Sequence, residues 1–348
     1  MTDKRNAFDL LRLLLAACVL IGHAILIGGY ELQDPLALFS KGQTNLPEFG
    51  VMGFFALSGY LITASFERCK SLVTFASHRL LRILPAFWVC LLVTGFILAP
   101  LIYVLEGNPV SNFQFTGPGS ATGYVVKNSL LKIRQWGIKD VLDHARYQAS
   151  LDGSLWSLYP EMQCYCLTLV AGISGLFNKN KVLYMLFAAT IFVFFAINFN
   201  FSKNFGPTFL ILSPAFKLYV SYLAGTLIYM FPKWLIFDRK GTVFLVVFTL
   251  MLVRFGGYNM ISPVLVAMTL VNVFGLFKFT LRYDVSYGVY IYSFPVQQLL
   301  FQLFGNHLSV LFFILFSFSV AIPMGFLSYI FVERPFINFK NKANLKLQ

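Results

Sequence analysis

Ten apolar runs divide this chain, each near the roughly 20 residues that a helix needs to cross the hydrocarbon core of a bilayer. They span 7–29, 48–66, 82–105, 155–177, 182–198, 208–231, 241–255, 257–277, 285–304 and 308–332 of the 348 residues. Composition points the same way. Of all residues 58% are hydrophobic, 40 are Phe and only 12% are charged, where a soluble domain carries about a quarter charged. The expected fold is an all-α integral membrane bundle of about ten transmembrane helices, forming a single domain over 1–348. The seventh run is short and runs into the eighth at Gly256-Gly257, so the count of ten holds to within one or two.

The formal net charge of +13 is spread through the connections between runs and not gathered on one soluble face. A positive-inside bias accounts for it, and nucleic acid is not expected among the partners. Lys4 and Arg5 place the amino terminus in the cytoplasm. Arg68, Lys70, Arg79, Lys179, Lys181, Lys233, Arg239, Lys240, Lys278, Arg282 and the tail residues Arg334, Lys340, Lys342 and Lys346 then fall on the same side, so both termini are expected there. The first run reads as an uncleaved anchor, because no small-residue cleavage site follows it. Residues 106–154 form the one long outer connection, with turn signals at Gly117-Pro118-Gly119 and an expected amphipathic helix over 125–136. Such a segment suits a lid, a sugar-binding surface or a helix lying on the membrane. The five cysteines lie in or beside apolar runs without disulfide or metal-ligand spacing and read as core thiols, so no metal is expected.

Two ionisable residues, Arg12 and His23, interrupt the first run, and an ionisable group inside a membrane helix is a functional candidate by default. They are eleven residues apart, about three helical turns, so they share a face about 16 Å apart along the axis. Asp9, three residues before Arg12, can pair with it. Imidazole has the proton affinity that general acid–base work near neutral pH requires. His78, His144 and His307 fall in connections or at run ends, which leaves His23 inside a run as the candidate base; the alternative is a core histidine satisfied by a neighbouring hydroxyl. Arg79 and Arg82, three apart, share a helix face at the cytoplasmic end of the third run. They suit either phosphate binding, for which guanidinium is well matched, or plain membrane anchoring. Glu333 reads as a helix-end partner of Arg334 or Lys340, or as a support for the site, and Lys217 as a snorkelling or cavity-lining side chain.

Six motifs in order resemble those of the acyltransferase-3 family of bacterial membrane proteins. They are Phe8-Asp9-Leu10-Leu11-Arg12 with His23; Phe54-Phe55-Ala56-Leu57-Ser58-Gly59-Tyr60-Leu61-Ile62; Arg79 and Arg82 before Ile83-Leu84-Pro85; Leu155-Trp156-Ser157-Leu158 with Glu161 and Tyr165; Ser286-Tyr287-Gly288-Val289-Tyr290; and Val332-Glu333-Arg334-Pro335. The resemblance implies transfer of an acyl group, usually acetyl, from acyl-coenzyme A as donor substrate, with no bound cofactor, to a hydroxyl of an envelope carbohydrate such as lipopolysaccharide O-antigen. It implies the bacterial inner membrane as location, His23 and Glu161 as catalytic residues, and Arg12, Arg79 and Arg82 as donor-binding residues. Asp9, Trp156, Ser157, Tyr287 and Glu333 are implied as supports. Two positions depart from the pattern: Ser293 stands where the family often has a histidine, and Pro160 stands where it has a helix-compatible residue, which moves the start of the fourth helix toward Pro160. Direct transfer with His23 as base and an acyl-histidine relay both fit. The competing class is a transporter or flippase of a lipid-linked glycan, which commonly shows paired repeats that this sequence lacks.

Overall fold

The computed structural model describes residues 6–69, 71–175, 177 and 207–336, and all regular structure among them is helical. The principal helices are α1 (Phe8–Gly28), α2 (Leu46–Arg68), α3 (Leu72–Leu105), α4 (Ala121–Asn128) and α5 (Leu158–Ile173). They continue with α6 (Pro207–Met230), α7 (Arg239–Phe255), α8 (Tyr258–Gly275), α9 (Ser286–Phe304) and α10 (Val310–Phe336). Every apolar run that falls on described residues is occupied by one of these helices; the run at 182–198 lies outside them, as do Lys4, Arg5, Lys70, Lys179, Lys181, Lys340, Lys342 and Lys346. Of the described helices, five (α1, α2, α3, α8 and α10) are long and apolar enough to cross a membrane. The chain is therefore an all-helical, multi-pass membrane protein; the count of about ten spans is not reached by this criterion.

Local chemistry explains the helix ends. Asn45 caps α2 by accepting from Glu48 N at 2.9 Å, and Asp238 caps α7 by accepting from Gly241 N at 2.8 Å. Gly256 and Gly257, at φ 122° and 91°, make the turn that separates α7 from α8, so the two runs that meet there are separate helices. A π-turn interrupts each of the two longest helices: Thr94–Leu98 in α3, two residues before Pro100, and Tyr329–Glu333 in α10, two residues before Pro335. A proline ring displaces the carbonyl four residues back, and the wider turn absorbs that displacement.

The chain divides into two compact units, each assembled from separated stretches. One comprises Met1–Leu15, Asp34–Ala76 and Pro160–Leu281. Its centre is a seam between α2 and α6 where small residues let the backbones touch: a Cβ added at Gly59 would lie 1.9 Å from Tyr222 O, and one at Gly225 would lie 1.9 Å from Ala56 O. Thr63 and Thr226 close the seam with a hydroxyl pair at 3.1 Å. The other unit comprises Ala16–Gln33, Ser77–Tyr159 and Arg282–Gln348. There α9 and α10 make the equivalent contact, a Cβ at Gly288 falling 2.7 Å from Gly325 Cα.

The connection over residues 106–154 corrects one expectation. Its helix is α4, ending at Asn128, not a helix over 125–136. Ser120 caps the start by accepting from Gly123 N, and Asn128 stops the end: its side-chain oxygen accepts from Arg134 N and Gln135 N at 2.8 and 3.0 Å while its amide donates to Gln135 O. Leu131 then takes φ 69°, which no helix continues through. Phe113, Leu131, Ile138, Val141, Leu142, Ala145 and Leu151 are buried, so the segment is packed into its unit.

Candidate active site

The two halves of α1 carry the two ionisable residues and belong to different units. In the first unit Arg12 donates to Asp9 at 2.9 Å, the pairing that their spacing predicted. Glu161 lies in the first turn of α5, which begins at Leu158, so Pro160 sits where a helix needs no N–H from it. Its carboxylate accepts from Ser58 Oγ of α2 at 3.2 Å and from Tyr165 Oη one turn on. Lys217 is held rather than snorkelling, donating to Glu48 at 2.6 Å and to Asn259 at 2.8 Å.

The second unit holds His23, Arg79, Arg82, Trp156, Ser157, Tyr287 and Glu333. The His23 ring meets Phe294 of α9 edge to face at 4.9 Å, with its Nδ1 buried and without a hydrogen-bond partner. No neighbouring hydroxyl bonds that nitrogen. One turn further along α9, Gln297 reaches back to α1 and donates to Leu20 O at 2.9 Å.

Arg82 is the hub of a second cluster. Its Nη2 donates to Asp284 at 2.8 Å and its Nη1 to Glu333 at 3.0 Å, while Tyr287 lies 6.0 Å beneath the guanidinium and donates to Ile83 O. Glu333 is 1% exposed, a burial that a carboxylate tolerates only with a cation beside it. Its partner is Arg82 on α3, not Arg334 next to it in sequence. Arg79, half-buried, lies one turn before Arg82 on α3. Sequence reasoning passes over Asp284, whose position in a turn reads as a solvated charge; its place two residues before the Ser286 motif was the available signal.

The Trp156-Ser157 motif forms a 3-10 turn leading into α5, with Trp156 half-buried and Ser157 Oγ 2.6 Å from Tyr290 Oη. Tyr290 donates to Ser154 O at 2.9 Å, which ties this turn to α9. Just before it, Asp152 is a buried carboxyl that sequence reasoning also missed. It accepts from Ser154 N at 2.9 Å, and Cys90 Sγ lies 3.8 Å away. Cys90 itself donates to Ile291 O at 3.3 Å, a carbonyl left open because Pro295, four residues on, has no N–H. Burial lifts the Asp152 carboxyl from its ordinary 3.8 to about 8, against the lowering effect of the Ser154 and Cys90 hydrogen bonds. A carboxyl raised on folding binds its proton more tightly in the folded state, so the unit should lose stability as pH rises from about 4 through about 8 and level off above. Thermal unfolding of Asp152→Asn, which stays neutral, should lack that dependence; an identical pH dependence in the variant would contradict it.

The geometry thus joins Arg82, Tyr287 and Glu333 in one cluster, Arg12 with Asp9, Glu161 with Ser58 and Tyr165, and Ser157 with Tyr290. Among the described residues no group of three or more His, Cys, Asp or Glu is placed to hold a metal ion.

The acyltransferase domain family profile, Acyl_transf_3, matches residues 5–329. An O-acetyl transferase of Shigella phage Sf6 is 29% identical over 344 residues, covering 96% of each chain. Nodulation protein 10 of Rhizobium leguminosarum bv. viciae is 40% identical over 101 residues, 27% of each chain. No solved structure matches the chain.

Proposed function

The chain belongs to the acyltransferase-3 family, and on that premise we propose that it moves an acyl group, acetyl first, from acyl-coenzyme A to a hydroxyl of an envelope carbohydrate. Lipopolysaccharide O-antigen is the first acceptor to test, as the family resemblance implies, and the phage relative, named an O-acetyl transferase and similar over nearly its whole length, supports acetyl as the group moved. Family membership favours this reading over a carrier. The observation that carries it is His23: an imidazole within a membrane helix whose buried Nδ1 has no protein partner, as a group reserved for reaction would be. In the proposed reaction its Nε2 takes the hydroxyl proton while the oxygen attacks the thioester carbonyl. The tetrahedral intermediate collapses, the C–S bond breaks, and the leaving thiolate of coenzyme A recovers the proton from the imidazolium. An acyl-histidine relay would differ only in forming an acyl–imidazole first. Glu161, held by Ser58 and Tyr165, is assigned to the same chemistry as a second acid–base group.

Donor phosphates are assigned to the arginines near the cytoplasmic ends of α1 and α3, in a protein of the bacterial inner membrane with both termini inside. Arg82 brings to them the N–H groups that Asp284 and Glu333 leave over. Arg79→Lys keeps the charge but loses the planar fork. It should insert normally yet bind acyl-coenzyme A several-fold more weakly, a loss on the order of 1–3 kcal/mol for a charge-assisted contact. Unchanged affinity in a titration of the purified variant would return Arg79 to the role of a membrane anchor. The reading as a whole is tested by nuclear magnetic resonance of envelope glycans from cells with and without the gene: acetyl esters should appear only with it, and identical spectra would refute the assignment.

A further inference from the structure

Gln297 and His23 each leave one buried polar atom without a partner, and both residues lie in the same unit. The Gln297 side chain is fully buried on α9. Its amide nitrogen is committed to Leu20 O at 2.9 Å, which fixes the orientation of the group: turned over, its oxygen would face a carbonyl oxygen. The amide oxygen is then the unpartnered atom. Helical side chains lean toward the amino terminus and cover the preceding turn, so the His23 imidazole lies over the turn of α1 that contains Leu20, where the Gln297 amide arrives. Phe294, three residues before Gln297 on α9, packs edge-on against the same imidazole at 4.9 Å. An orphaned amide oxygen costs the full desolvation of the group, as does an orphaned ring nitrogen, and one proton between them settles both.

We propose that Gln297 is a positioning residue for His23, its amide oxygen accepting a hydrogen bond from Nδ1–H and so leaving Nε2 as the bare nitrogen that faces the acceptor hydroxyl. Hydrogen bonds of this kind are often open in a free enzyme and tighten with substrate. The other ring nitrogen of a working histidine is commonly fixed by a carboxylate; here a neutral amide does it, so the tautomer is set with no buried negative charge beside the ring. The consequence for catalysis rests on the proposed role of His23, but the tautomer itself does not.

Two readouts test it. In protein labelled with 15N-histidine and held in lipid vesicles, the His23 ring signals, identified by their loss in His23→Ala, should show the hydrogen on Nδ1 in the neutral form. Gln297→Leu should shift them to a mixture. A hydrogen on Nε2 in the unaltered protein, or unchanged signals in Gln297→Leu, would overturn the pairing whatever the protein catalyses. In acetyl transfer, Gln297→Leu should lower kcat about tenfold to a hundredfold, as loss of an orienting partner does, with donor KM within about twofold. Gln297→Glu, whose neutral acid can donate to Leu20 O and accept from Nδ1–H, should recover most of the loss. If Gln297→Leu folds poorly, Gln297→Glu still decides: transfer as low as in His23→Ala would contradict the assignment. Correct tautomer signals with no acetyl transfer in any variant would leave the pairing standing and instead remove the proposed function.

Discussion

His23→Ala should insert and fold like the parent protein while acyl transfer falls by about two to four orders of magnitude, the usual cost of removing a positioned general base. Folding should survive because the imidazole holds no hydrogen bond at its buried Nδ1, and the ring contact that is lost, edge-on to Phe294, is a single one. The measurement is the initial rate of acetyl transfer by purified protein, normalised to the folded fraction. Near-normal transfer by a folded variant would remove His23 from the chemistry and leave Glu161 as the remaining acid–base candidate. A covalent acetyl group trapped on His23 when acceptor is withheld would select the relay over direct base catalysis.

Arg82→Met should be the most destabilising single change in the second cluster. It strips the cation from Glu333, which is 1% exposed, and breaking one side of a buried pair costs about 3–5 kcal/mol. Because the guanidinium is about a quarter exposed (27%), the lower end of that range is expected. Glu333→Leu alone should cost less, since Arg82 keeps Asp284 at 2.8 Å. The double variant should be more stable than the sum of the singles implies, with a coupling of about 0.5–3 kcal/mol. Thermal unfolding in detergent gives the cycle directly; strict additivity would mean that the two side chains do not support one another.

Helix positions were legible because apolar length is set by bilayer thickness and needs no tertiary partner: the runs at 7–29 and 257–277 reappear as α1 and α8 almost residue for residue. The connection over residues 106–154 was less so. Its apolar spacing continues past Asn128, but the helix stops there because the Asn128 side chain bonds backbone six and seven residues on, a contact that periodicity does not encode. Glu333 shows a second limit. The sequence offers Arg334, but a residue one position on leaves a helix from another face, and Glu333, at the end of the π-turn over Tyr329–Glu333, meets Arg82 instead. A short-range pair was read correctly where the spacing was three residues, Asp9 with Arg12. Asp152, Asp284 and Gln297 were missed because each acquires its meaning only from a partner far along the chain or from burial.

The central claim is that this chain transfers an acyl group from coenzyme A to a carbohydrate hydroxyl. The most direct measurement supplies purified protein in vesicles with acetyl-labelled acetyl-coenzyme A and envelope glycan, and follows label in base-labile ester on the glycan. Label should accumulate with the parent protein, in step with release of free coenzyme A thiol, and should fall to background with His23→Ala. Absence of labelled ester from the parent protein, with donor and glycan both present and the protein folded, would contradict the account.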